Sequence, residues 1–272
     1  MHEADLLNPG AFDSIFKGCH FVFHTASPFY IDAEDPYKEL VETAVKGTEN
    51  VMNAAVKAVP YGLKRVVLTS SCAAIKGFKG AQQPSSGHLY SEKDWNTTSS
   101  VENGEAYWLG KTEAEKLAWQ VAEQNQLDLV AILPEFIMGP ILSPASNATS
   151  IKYFKSWVEG QVQNGAPVFA DVRDVARAHI LAAENDQAKG RYIVANDRST
   201  TPSMISSWLK ERFPEFNFGN VEDDLQSEQV IDNSRVKSEL GLAITPVEKT
   251  LIDMAVTMIV LSLAKPLLKT VT

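Results

Sequence analysis

The sequence predicts an α/β protein, a doubly wound parallel sheet with a smaller second domain, and three observations predict it. Apolar, β-branched runs at Phe21-Val22-Phe23, Val66-Val67-Leu68 and Leu129-Val130-Ala131-Ile132-Leu133 lack polar-apolar alternation, as strands covered on both faces do. Longer segments with a 3.6-residue period, from Tyr37 to Ala58 and from Glu105 to Ala122, lie between them, so strand and helix alternate. Two of the strands run into small or hydroxyl residues, Thr25-Ala26-Ser27 and Thr69-Ser70-Ser71, at the carboxyl ends where open α/β sheets bind ligands.

Taken in order, Ala4-Asp5-Leu6 reads as a strand end, Pro9-Gly10 as a turn, and Phe12 to Cys19 as a short helix. Phe21 to Thr25 is a central strand, and His24 within it reads as a satisfied core or loop histidine rather than a base. Leu40, Ala44, Val45, Thr48, Val51, Met52 and Ala55 share one side of the helix that returns the chain to the Val66 strand. The loop from Lys76 to Asn103 is rich in Gly, Pro, Ser and Asn, and its length marks it as functional or mobile; Trp95 in it reads as a packing anchor. Ala114, Leu117, Ala118, Val121 and Ala122 define the apolar stripe of the next helix. Tyr107 and Lys111, four apart, meet on one face of it, where an ammonium lowers a phenol's pKa and makes it a proton donor and acceptor near neutrality. After Pro134 the character changes to a Pro- and Ser-bearing linker, a helix from Ser150 to Val162, and Asp171 as cap of a helix through His179. Gly190 to Ala195 is a strand, Thr201-Pro202 opens a helix, and Gly241 stops another. The expected division is 1–133 and 134–272, with some later segments returning to the first domain.

Bulk properties narrow the function. A net charge of -9 argues against nucleic acid or an anionic membrane as partner. Two cysteines, Cys19 and Cys72, make no disulfide framework and fit a reducing, cytoplasmic setting; neither has neighbours at metal-ligand spacing, so no metal is expected. The uncharged stretch from Met254 to Ala264 is too short to span a bilayer and reads as a core or partner-facing helix.

Strand, serine, tyrosine-lysine helix, strand and proline occur in the order found in the short-chain dehydrogenase/reductase superfamily. The chain resembles its extended, epimerase/dehydratase branch, and within it the dihydroflavonol-reductase/cinnamoyl-CoA-reductase-like group. The resemblance also covers Tyr90-Ser91-Glu92-Lys93-Asp94-Trp95, Asp171-Val172-Arg173-Asp174-Val175-Ala176-Arg177-Ala178-His179, read as a structural motif docking the small domain, and Asp232 to Gly241. It implies a Rossmann-like fold and an NAD(P)-dependent oxidoreductase that moves a hydride between nicotinamide and a small carbonyl or alcohol substrate. By the same resemblance Ser71 hydrogen-bonds the substrate oxygen, Tyr107 carries its proton, and Lys111 grips the nicotinamide ribose. Asp5 and Leu6 would pack at the adenine, Thr25, Ala26 and Ser27 would line the cofactor, and Pro134, Glu135, Phe136 and Ile137 would place the nicotinamide edge. Glu135 stands where a small residue or threonine is commoner; the acid either points to solvent or alters substrate polarity.

One expected element is missing. A dinucleotide's pyrophosphate needs a glycine-rich turn between strand and helix, because only glycine lets backbone N–H groups approach it. Gly77-Phe78-Lys79-Gly80 follows the wrong strand and opens no helix. The chain therefore reads as an amino-terminally shortened member, with NAD or NADP preference unreadable, weak cofactor binding, and self-association through an exposed sheet edge. Two alternatives stand beside the reductase: a catalytically incompetent binding or regulatory protein, and a nucleotide-sugar epimerase or dehydratase.

Overall fold

The computed structural model describes residues 1–29, 33–78, 87–144, 148–219, 221 and 225–269. The elements in chain order are β1 (Phe21–His24), a π-helical stretch (Tyr37–Glu42) leading into α1 (Thr43–Ala58), β2 (Arg65–Thr69), a 3₁₀ turn (Cys72–Ala74), α2 (Ala106–Asn125) and β3 (Leu129–Pro134). They continue with β4 (Phe136–Met138), α3 (Thr149–Val158), β5 (Phe169–Asp171), α4 (Val172–Glu184), β6 (Gly190–Val194) and α5 (Pro202–Arg212). The chain ends with β7 (Phe216–Asn217), α6 (Ser234–Leu240), α7 (Val247–Val260) and β8 (Leu267–Leu268). Two compact units interleave along the sequence rather than meeting at one cut. The first comprises Met1–Pro134, Arg177–Ile193 and Ser234–Leu242; the second comprises Glu135–Ala176, Val194–Asn233 and Ala243–Thr272.

In the first unit the sheet has the order β1-β2-β3-β6, with β1, β2 and β3 parallel. Val66 and Val67 of β2 and Val130 to Leu133 of β3 are fully buried, the double-sided cover that their unbroken apolar runs predict. β1 departs from that expectation. Its residues alternate between covered and open, and Phe23 is 45% exposed, because among the described residues β1 pairs only with β2 and forms the sheet edge. The amino terminus also differs from its reading. Asp5 belongs to no strand, and residues 6–18 form successive turns instead of a helix, with Asp5 Oδ1 accepting from the Leu7 N–H at 2.8 Å. A strand end has nothing to pair with there, and local Asx bonding wins.

Two glycines set how closely the helices approach. A Cβ on Gly110 would lie 3.0 Å from the Leu40 carbonyl and 3.2 Å from Val41 Cα, so α2 rests backbone-to-backbone on the π-helical stretch. At Gly47 of α1, the Leu6 side chain occupies the space a Cβ would need. The Lys76–Asn103 loop is anchored where it is described; residues 79–86 lie outside the described residues. Asn96 Nδ2 donates to the Ala73 carbonyl at 2.8 Å and its N–H to Ala74 at 2.9 Å, fastening the loop to the 3₁₀ turn.

The second unit packs α3, α5 and α7 around β4 and β5, with Trp157, Phe154, Phe169 and Phe218 fully buried. The uncharged carboxyl-terminal stretch serves this core: α7 buries Leu251, Met254, Ala255 and Met258, and no helix among the described residues is long and apolar enough to cross a membrane. Asp171 and Arg173, at the start of their motif, bond within this unit. Asp171 accepts from the Arg173 N–H at 2.8 Å, pairs with its guanidinium at 2.7 Å and accepts from Thr250 Oγ1 at 2.8 Å, while Arg173 reaches Asp253 of α7.

Candidate active site

α2 begins where the buried Glu105 stops the loop, and its first turns carry Tyr107 and Lys111. The Tyr107 ring meets Phe29 edge-on at 4.5 Å and Trp108 at 5.5 Å. Lys111 is only 8% exposed, and its ammonium donates to the Thr69 carbonyl at the end of β2, 3.1 Å away. Burial pulls its pKa down from 10.5 to about 8, against the opposing attraction of Glu115. Beside it is a cavity of about 10 Å³, room for roughly one water, lined by His24, Ala26, Ser27, Thr48, Ser70 and Glu115 among others. His24 is held neutral, with a pKa near 4, by burial and then by the Lys111 charge; its Nε2 lies 3.3 Å from Thr48 Oγ1. This is the core histidine the sequence suggests.

The two serines after β2 have different duties. The buried Ser70 hydroxyl donates to Glu115 Oε2 at 2.6 Å. Ser71 is half-buried; its Oγ accepts from the Ala73 N–H at 3.1 Å, capping the 3₁₀ turn, and lies 3.5 Å from the Pro134 carbonyl at the end of β3. The structure thus gathers Ser71, Pro134 and Lys111 at the carboxyl ends of neighbouring parallel strands, with Ala26 and Ser27 on the same small cavity as Lys111. Thr25 is exposed just past β1. Asp5 and Leu6 are elsewhere: Asp5 is exposed, and Leu6 packs on α1, its carbonyl accepting from Asn50 Nδ2 at 3.0 Å. Glu135, Phe136 and Ile137 belong to the second unit, where Phe136 rests 6.0 Å from the Phe169 ring and 5.3 Å from that of Tyr153.

Glu115 and Arg191 carry no functional motif in the sequence. Glu115 lies in Lys111-Thr112-Glu113-Ala114-Glu115-Lys116, which looks like a solvated helix face, yet Glu115 is 1% exposed and paired with Arg191 at 2.7 Å. Its signal was positional: Glu115 follows Lys111 by four residues and falls on the same buried face.

The model of the NAD dependent epimerase/dehydratase family matches residues 1–195. The chain belongs to that family. A cinnamoyl-CoA reductase from Medicago truncatula is 39% identical over 254 residues, covering 91% of this chain and 76% of the relative. An anthocyanidin reductase ((2S)-flavan-3-ol-forming) from Vitis vinifera is 34% identical over 255 residues, covering 87% and 73%. Among solved structures, the yeast methylglyoxal/isovaleraldehyde reductase complexed with NADPH superposes with a TM-score of 0.81 at 28% identity, covering 95% of this chain and 83% of that one. This family member is an NAD(P)-dependent oxidoreductase of the class acting on C=O and CH–OH groups.

The residues present fit one half of such a cofactor. A buried ammonium, small residues at Ala26 and Ser27, and strand carboxyl ends suit a ribose and a flat ring. A pyrophosphate needs glycine-rich backbone at a helix start; the segment between β1 and the π-helical stretch, residues 25–36, contains no glycine.

Keeping Lys111 charged in this burial costs stability. Its folded pKa lies below the unfolded value, so the penalty is full below pH 8 and fades as pH rises towards 10.5. Lys111→Met should therefore raise stability at pH 7 by about 2 kcal/mol. Denaturant midpoints at pH 7 and pH 10 check this, the gain being smaller at pH 10.

Proposed function

We propose that this chain reduces the carbonyl of a small to medium-sized organic molecule, or oxidises the matching alcohol, using Ser71, Tyr107 and Lys111. The observation that carries the reading is Lys111, a buried ammonium with a lowered pKa, one helical turn from Tyr107 and bonded to the end of β2 beside Ser71. The Ser71 hydroxyl holds the substrate oxygen. Tyr107 gives that oxygen its proton in reduction and takes it in oxidation, and the Lys111 charge stabilises the phenolate so formed. NADP or NAD, when bound, supplies or accepts the hydride at the substrate carbon. Lys111 would hold its ribose, Thr25, Ala26 and Ser27 its near face, and Pro134 the edge of its ring; Asp5 and Leu6 would meet the adenine. Similarity to reductases of cinnamoyl-CoA, anthocyanidins and aldehydes supports a carbonyl substrate.

Turnover of NADPH, and separately of NADH, on a panel of medium-sized aldehydes and ketones should exceed turnover on nucleotide sugars. A strong preference for nucleotide sugars would reverse the assignment.

A further inference from the structure

One buried ion pair of the first unit touches the end of β2, helix α2 and the segment around Trp95 at once. Arg191 Nε donates to Glu115 Oε1 at 2.7 Å, and Nη2 donates to Oε2 at 3.2 Å. The same carboxylate accepts from Ser70 Oγ at 2.6 Å and from Trp119 Nε1 at 3.1 Å. The remaining donors of Arg191 go to main chain: Nη1 to the Glu92 carbonyl at 3.0 Å and the Asp94 carbonyl at 2.6 Å, and Nη2 to Ala74 at 3.5 Å. Its guanidinium lies 3.9 Å from the Trp95 ring centroid. A buried ion pair is a poor source of net stability compared with apolar packing, so stability alone does not account for this one.

We propose that Glu115 and Arg191 are positioning residues for the oxidoreductase site, Glu115 fixing Ser70 and the electrostatic setting of Lys111, and Arg191 clamping residues 90–95 to the same carboxylate. What Lys111 then does rests on the triad reading above. Ser70 precedes Ser71 directly, so a carboxylate gripping Ser70 fixes the backbone from which Ser71 projects. Glu115 follows Lys111 by one helical turn, and its charge opposes the burial that favours a neutral Lys111. Among the described residues, the groups facing Lys111 or Glu115 come from each neighbour in turn: His24 from β1, Thr48 from α1, Thr69 from β2 and Ser70 just after it, Trp119 from α2 and Arg191 from β6. His24 is neutral above pH 4, so near neutrality the charges in this group are Lys111, Glu115 and Arg191. Among the described residues of this group, Arg191 bonds the 90–95 segment through the Glu92 and Asp94 carbonyls. Releasing its fork would therefore loosen that segment while a lysine in its place kept the charge.

The test is a titration of the lysine side chains in the full chain, ¹³C-labelled at Cε, with the Lys111 signal assigned by its loss in Lys111→Met. Glu115→Gln should lower the Lys111 pKa by about one unit. Arg191→Lys should leave that titration near wild type while amide exchange in residues 90–96 speeds up about tenfold. Should Glu115→Gln not fold, Glu115→Asp carries the same test, with a smaller shift in the same direction. An unmoved Lys111 titration in the folded Glu115 variant, or wild-type exchange in Arg191→Lys, would overturn the proposal. Neither readout uses turnover. Normal turnover by Tyr107→Phe would sink the triad and leave this result standing, and an unmoved titration would do the reverse.

Discussion

Replacing Tyr107 by phenylalanine should lower turnover by about 10²–10⁴-fold, the usual worth of a positioned acid-base group, and leave cofactor affinity within about twofold. The substitution removes one hydroxyl and keeps the ring, so the edge-on contact with Phe29 at 4.5 Å and the contact with Trp108 at 5.5 Å survive. The start of α2 is held independently, by Gly110 against the backbone of Leu40 and Val41 and by Lys111 on the Thr69 carbonyl. A loss of turnover in this variant is therefore a loss of chemistry. Initial rates at saturating aldehyde and millimolar cofactor, with calorimetric cofactor titration of both proteins, decide it. Wild-type turnover in Tyr107→Phe would refute the assigned proton donor.

The second large effect concerns the cofactor itself: the 272-residue chain should bind NADPH and NADH with dissociation constants well above the micromolar range. Charge-assisted hydrogen bonds to a helix start are the main anchor for a pyrophosphate, and each such bond is worth about 1.5–3 kcal/mol. Residues 25–36, between β1 and the π-helical stretch, offer no glycine for that approach. β1 adds a second consequence. As the sheet edge among the described residues, with Phe23 open, it offers an edge strand beside apolar surface, so the same chain should self-associate as its concentration rises. Fluorescence titration and sedimentation measure the two effects separately. Micromolar binding by a monomer would show that the present residues make a cofactor site without a glycine-rich turn.

Much of the fold was written in local pattern. The unbroken apolar runs of β2 and β3, the period of α1 and α2, the Thr201 cap and the Gly241 stop depend on near neighbours in sequence, and each formed where the pattern placed it. The pairing of Tyr107 with Lys111 on one helix face was legible for the same reason: four residues make about one turn. The partners of a residue across the sheet were not legible. Glu115 sits in a charged run, and only the folded chain buries it and brings Arg191 of β6, 76 residues away, against it. β1 shows the opposite case, since its composition specified a covered strand and only the order β1-β2-β3-β6 made it an edge. The sequence by itself determined the strand-helix alternation, the family order of its motifs and the tyrosine-lysine pair. The tertiary structure decided which serine is committed to Glu115, that Lys111 is buried enough to lose charge near pH 8, and which strand stands open, because burial and long-range ion pairing arise only once distant segments share one interior.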